Sequence, residues 1–306
     1  MTTTPKDTDL PAAANLMRMA TYASVIVAVV LVSVKFFAWI TTDSVAILAT
    51  LVDSLLDALA SLVTLIVVRH SLSPADREHR FGHGKAEALA ALTQAAFICG
   101  SSVLLLFEAF HRLLQPQIIL KSEVGIWVMV FSVVVTVALV AFQLFVVKRS
   151  GSLAISADSI HYRGDVLVNL AVIVALLSSR WFDNTFIDPL FGAVIALYIL
   201  YSAWQIVSGA LDMLMDRELP IKERQRVRDI AIAHPEVSDI HDLRTRRSGQ
   251  TVFIQLHLEL DPKMQLMQSH TIADAVEAEL RAAFDNAEVI IHQDPAGLDE
   301  GHRQFI

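Results

Sequence analysis

Cysteine is nearly missing from this chain, with Cys99 alone among 306 residues. A disulfide needs two thiols and a multi-thiolate metal centre needs more, so both are excluded, and with them the disulfide-stapled secreted folds. Glycine and proline are scarce as well, at 11 and 9 residues, too few for a collagen-like repeat or a low-complexity disordered chain. Charge is also short. Only 18% of the residues are charged, 54% are hydrophobic and the mean hydropathy is +0.52, which is too apolar for one ordinary soluble domain and points to a membrane. A strongly basic face is absent, so no nucleic-acid partner is expected. The opening Met1-Thr2-Thr3-Thr4-Pro5-Lys6-Asp7 lacks the basic start and short apolar core of a cleavable signal peptide.

What charge there is divides unevenly. Residues 1–210 carry 13 Lys+Arg against 14 Asp+Glu, and residues 211–306 carry 11 against 18, so a nearly neutral apolar part precedes an acidic, hydrophilic one. A helix needs about 20 apolar residues to span the hydrocarbon core. Four runs qualify directly: Met19–Ile40, whose Lys35 stands near enough to the end to snorkel, Leu89–Phe107, Val124–Val147 and Pro189–Leu211. Two more carry charge, Ser44–Val68 with Asp53 and Asp57, and Ser152–Ser179 with Asp158, His161, Arg163 and Asp165. Reading both as spans whose charged faces turn away from lipid gives a polytopic protein of six transmembrane helices. The connections after the second and fourth runs hold Arg69, Arg77, Arg80, Lys85, Lys148 and Arg149, against Arg112, Lys121 and Arg180 on the other side. That excess places both termini in the cytoplasm. The expected division is an N-terminal tail at 1–15, a transmembrane domain at 16–211, a cytoplasmic domain at 212–298 and a C-terminal tail at 299–306.

The hydrophilic part reads as a small α+β module. Pro220–Ala233 is a charged helix candidate, and Val237–Arg247 and Thr251–Leu260 flank Ser248-Gly249-Gln250 as a hairpin. Val252, Ile254, Leu256, Leu258 and Leu260 alternate onto one face of the second strand. Ser269–Phe284 has helical periodicity and Ala287–His292 is a short last strand, giving the order αββαβ with helices expected on one face of the sheet.

An ionised side chain at the middle of a spanning helix costs roughly 2.5–3.5 kcal/mol on insertion scales, so each one is a functional hypothesis. Asp53 and Asp57 are four residues apart, and so are His161 and Asp165. At that spacing helical side chains lie one turn apart on one face. Packing the two faces together assembles three carboxylates and one imidazole, a donor set that suits a tetrahedral divalent cation of the zinc type and also accepts cadmium, iron(II), cobalt or manganese. Cu(I), which seeks thiolates, has nothing to bind. One membrane aspartate can simply hydrogen-bond a neighbouring helix, but stacked carboxylates in hydrocarbon without a cation compound the cost.

Two other clusters carry less information. Asp76, His79 and His83 lie in a loop marked by Pro74, Gly82 and Gly84, where helical spacing cannot be invoked and loop histidines without a metal are common. The acidic module adds His241, His257, His270, His292 and Asp294. His257 shares a strand face with Gln255 and Glu259, and His292 shares one with Asp294, so the group suits one metal or two bridged by Asp294, although spacing alone does not show that its members converge. His70, His111, His234 and His302 read as interfacial or surface residues, and Asn169 extends the polar stripe one turn beyond Asp165.

These segments resemble the cation diffusion facilitator family, most closely its bacterial zinc and ferrous-iron efflux pumps. The resemblance runs from about residue 15 to 297. It rests on Leu51-Val52-Asp53-Ser54-Leu55-Leu56-Asp57, Phe81-Gly82-His83-Gly84-Lys85-Ala86-Glu87, Asp158-Ser159-Ile160-His161-Tyr162-Arg163-Gly164-Asp165, His241-Asp242-Leu243-Arg244-Thr245-Arg246 and Ile290-Ile291-His292-Gln293-Asp294-Pro295. It implies six spans, a homodimer in the bilayer and a cytoplasmic domain of metallochaperone-like fold. It further implies a transport site of Asp53, Asp57, His161 and Asp165, a loop site of Asp76, His79 and His83, and a two-metal site of His241, His257 and Asp294 with His270 and His292, near which Gln293 contributes. Lys85 and Asp216 match a family charge pair near the dimer interface. The implied activity is efflux of zinc, or of cadmium or iron(II), across the bacterial inner membrane in exchange for protons. A membrane metal sensor is the alternative, but it does not need paired ligands inside the bilayer. A membrane metallohydrolase lacks the His-Glu-x-x-His type of general base beside its metal.

Overall fold

The computed structural model describes residues 9–43, 45–114, 123–178 and 187–297. Lys121, Arg180, His302 and the two chain ends lie outside them. The chain divides into two units, one of residues 13–211 and one containing the segment after 211.

Six long helices run through the first part: α1 (Asp9–Thr42), α2 (Val45–Ser71), α3 (Ala86–Leu114), α4 (Glu123–Ser150), α5 (Leu153–Ser178) and α6 (Ile187–Leu214). All except α5 are long and apolar enough to cross a membrane. Where six such runs were expected, five are therefore found among the described residues. Unlike the other five, α5 carries three charges in its first half, Asp158, Arg163 and Asp165. Large apolar side chains such as Ile26, Phe37, Leu104, Phe107, Trp127 and Trp204 are exposed on the other helices, the surface a bilayer would cover. By contrast, α5 packs against α4, α3 and α2, and its Ala154, Ile155, Ala157 and Tyr162 are buried.

Polar groups hold α5 inside this bundle. At its start the fully buried Glu87 of α3 accepts the Leu153 backbone N–H at 2.6 Å and Ser152 Oγ accepts that of Ile155 at 3.3 Å, satisfying donors that a helix N-terminus leaves open. One turn on, the wholly buried Asp158 accepts hydrogen bonds from three helices: Ser24 Oγ of α1 at 2.6 Å, Gln94 Nε2 of α3 at 3.0 Å and Gln143 Nε2 of α4 at 2.7 Å. Tyr162 Oη meets Ser61 Oγ of α2 at 2.8 Å. Lys35 does not snorkel as expected. It is buried and donates to Ser54 Oγ at 2.6 Å and to the Thr50 carbonyl at 3.2 Å, because acceptors on α2 are nearer than the end of its helix.

The second unit has the order α7 (Ile221–Ile232), β1 (Asp239–Ser248), β2 (Thr251–Leu260), α8 (Leu266–Ala283) and β3 (Ala287–Pro295). The strands form one sheet in the order β1-β2-β3, with β1 antiparallel and β3 parallel to β2. Val252, Ile254, Leu256 and Leu258 of β2 share a core with Val227 and Ala231 of α7 and Ile272, Val276 and Leu280 of α8, so both helices cover one face. Gly249, at φ 56°, makes the tight β1–β2 turn that a β-carbon would strain.

Candidate metal sites

In the helical unit, α2 and α5 bring Asp57, His161 and Asp165 together, each offering a ligand atom within 4.8 Å of the others. His161 Nε2 lies 2.9 Å from Asp57 Oδ1 and 4.0 Å from Asp165 Oδ2. Asp53, one turn before Asp57, is exposed and is not part of this close set. Asn169 donates to the Asp165 backbone carbonyl at 2.8 Å, anchoring the helix rather than the carboxylate. Two carboxylates around one imidazole, inside an apolar bundle, form a donor set that a divalent cation fits and a monovalent one satisfies poorly.

In the loop between α2 and α3, Asp76, His79 and His83 also gather within 4.8 Å. Asp76 organises this segment. Its Oδ1 accepts the backbone N–H groups of His79 at 2.7 Å and Glu78 at 2.9 Å, and these bonds, His79 first, hold its carboxyl below the usual carboxylate range. Its Oδ2 faces His83 Nε2 at 3.4 Å.

The third cluster lies on the sheet face that the helices leave uncovered. Asp294 is buried, with Oδ2 2.6 Å from His257 Nδ1 and 3.3 Å from His241 Nε2, and Oδ1 3.1 Å from His292 Nε2. The parallel register sets His257 beside His292 and Glu259 beside Asp294. His270 is not brought here within one chain, since it sits on α8 beside Asp274 at 3.5 Å. Gln293 alternates to the opposite face with Val289 and Ile291, because strand neighbours point apart. Asp216 meets Arg246 Nη1 at 3.2 Å within this unit.

Sequence reasoning gave no site role to Asp242. The β1–β2 register slips by one residue between His241 and Arg244, a bulge that holds Asp242 at φ 45°. Consecutive strand residues normally face opposite ways, but here Asp242 follows His241 onto the metal face, 3.8 Å from His257 Nε2. An acid beside a histidine in a motif was the only signal, and the bulge is not visible in it. Glu259 likewise meets His241 Nδ1 at 2.9 Å and orients that ring.

Residues 21–215 match the family model described as the cation efflux transmembrane domain, and residues 219–296 match the model of the cation efflux protein cytoplasmic domain. The chain belongs to the cation efflux, or cation diffusion facilitator, family. It is a multi-pass membrane protein and a transporter rather than an enzyme, and the substrates of its family are divalent metal ions. The cation-efflux pump FieF of Pectobacterium atrosepticum is 49% identical over 285 residues, covering 93% of this chain and 95% of that one. The cation-efflux pump FieF of Yersinia pestis is 48% identical over 288 residues, covering 94% and 96%. The solved zinc form of CzrB is 31% identical, covers 29% of this chain and 99% of that chain, and has a TM-score of 0.25, at which the likeness carries no argument. For a cation efflux protein, three separate donor clusters fall on chemically distinct ground: an apolar bundle, a loop and an open sheet face.

Proposed function

We propose that this protein exports a divalent metal ion, zinc foremost and cadmium or iron(II) as alternatives, across the bacterial inner membrane by proton antiport with alternating access. The observation that carries the reading is the 2.9 Å approach of His161 to Asp57 across two helices. It supports a transport site of Asp53, Asp57, His161 and Asp165, in which Asp53 moves in when an ion arrives. It also favours α5 as the sixth span, since its charged side chains find partners inside the bundle. With six spans both termini lie on the same side, and the excess of Lys and Arg in the connections after the second and fourth spans favours the cytoplasm.

Expelling a dication from a negative-inside cell opposes about 2.3 kcal/mol per charge per 100 mV, so a coupling ion is required. His161 is the proposed exchanger, because proton and metal compete for one imidazole nitrogen. Metal binds the deprotonated ligands facing inward, the bundle rocks, and protons displace the metal outside.

The remaining sites fit the same reading. Asp76, His79 and His83 would hold an ion at the loop. His241, His257, His292 and Asp294 would hold two in a cytoplasmic domain of metallochaperone-like fold, with Asp294 bridging through its two oxygens. His270 would join only from a second copy, in keeping with a homodimer tied by that metal and by the Lys85 and Asp216 charges.

Zinc flux in proteoliposomes tests the proposal. Asp57→Ala should abolish uptake, and uptake at the normal rate would refute the site. His161→Ala should uncouple proton from metal flux, and unchanged metal-driven proton movement would remove His161 from its role. Absence of zinc flux in the unaltered protein would leave a metal sensor.

A further inference from the structure

We infer that His70 is a fourth ligand of the loop site, closing it into a three-nitrogen, one-oxygen tetrahedron. The inference rests on the reading of Asp76, His79 and His83 as a metal site. Those three supply one short of the four donors that a closed zinc-type site takes. His83 is deep in the cluster, with its side chain 7% exposed, and its Nδ1 is buried without a hydrogen-bond partner. A buried imidazole nitrogen in that state awaits a partner or a change of ring orientation.

His70 packs against that same ring. It occupies the last turn of α2, and its ring centroid is 4.5 Å from that of His83, edge to face, while His79 packs against the same ring at 4.7 Å. His70 and His79 therefore both pack against the ring of His83, whose Nε2 faces Asp76. His70 is exposed, so its ring can leave its contact with His83 and swing toward the ion at small cost. It is not a member of the set whose ligand atoms are mutually within 4.8 Å, so it is the ligand that moves on binding while the Asp76 turn stays fixed. With His70 away, the site is a three-ligand open one that keeps a water position and exchanges its ion. With His70 engaged, it is closed and retentive. Residue 70 stands in the last turn of α2, the helix that carries Asp53 and Asp57, so engagement ties the loop ion to the helix of the proposed transport site.

Cobalt(II) spectroscopy on the full-length protein, in an Asp57→Asn and Asp294→Asn background that disables the other two clusters, tests this. The background protein should bind one cobalt ion with the intense visible bands of a tetrahedral centre, and His83→Ala should abolish them. His70→Gln should weaken that binding on the order of 10- to 100-fold and reduce the intensity as water replaces nitrogen. His70→Cys should bring a thiolate-to-cobalt charge-transfer band in the near ultraviolet, which arises only if residue 70 reaches the ion. Unchanged affinity and bands in His70→Gln, together with no charge-transfer band in His70→Cys, would overturn the fourth ligand while leaving the loop site standing. No cobalt bound in the background protein would overturn the loop site itself, and His70 with it.

Discussion

The Gln143 side-chain amide donates to the carboxylate of Asp158 at 2.7 Å, joining α4 to α5 deep inside the bundle and one turn before His161. Three helices converge on that carboxylate. Asp158→Asn puts an amide NH₂ where only acceptors belong, and each donor left unsatisfied costs about 1–3 kcal/mol. The expected result is a lower melting temperature in detergent and weaker zinc binding. A melting curve equal to that of the unaltered protein would show that the three bonds contribute nothing.

Lys35 bonds to Ser54, which lies between Asp53 and Asp57 in the chain. Lys35→Met removes a cation beside an acidic helix face and leaves Ser54 and the Thr50 carbonyl without their donor. The metal-free protein should lose on the order of 1–3 kcal/mol, while the stabilisation gained on adding zinc should grow, because the dication then replaces the missing charge. Thermal scans with and without zinc read both effects, and Ser54→Ala, which keeps the charge, should reproduce only the first.

Asp294 offers one oxygen to His241 and His257 and the other to His292. If it bridges two ions, Asp294→Ala should lower the zinc stoichiometry measured by titration calorimetry, whereas His292→Ala should affect a single ion. Equal stoichiometry after Asp294→Ala would argue for independent sites.

The Asp76 carboxyl is held below its ordinary value of 3.8 by the His79 and Glu78 backbone N–H groups. A depressed carboxyl in the folded state contributes its full stability above the unfolded value and loses it as pH falls through the folded one. The loop turn should therefore persist from neutral pH down to about 4 and loosen only below that. Hydrogen exchange at the Glu78 and His79 amides would register the change, and Asp76→Ala should show fast exchange throughout.

Much of this architecture was legible in the residues because its signals are periodic. The spacing of His161 and Asp165 in α5 declares a shared helical face that meets Asp57 of α2, although Asp53, at the same spacing from Asp57, is outside that close set, and the alternation of Val252 to Leu260 declares a half-buried strand. What stayed hidden depends on distance in three dimensions. Lys35 looked like a residue near a helix end, since no pattern in α1 reveals acceptors on α2. Asp158 shares a motif with His161, yet its partners Ser24, Gln94 and Gln143 come from three other helices. His270 carries its expected donor chemistry on the far side of the sheet from Asp294, a separation that follows from which face α8 covers.

The bulge in β1 has a further consequence for how fold and chemistry divide the labour. Without Asp242 the strand would alternate without fault, with Ile240 and Leu243 inward, His241 and Arg244 outward, and Leu256 facing a single residue instead of two. Asp242 is thus surplus to folding, an insertion whose contribution is its carboxylate. A chain shortened by that one residue would keep its core and its hairpin, and would separate the cost of building the sheet from the cost of arming it.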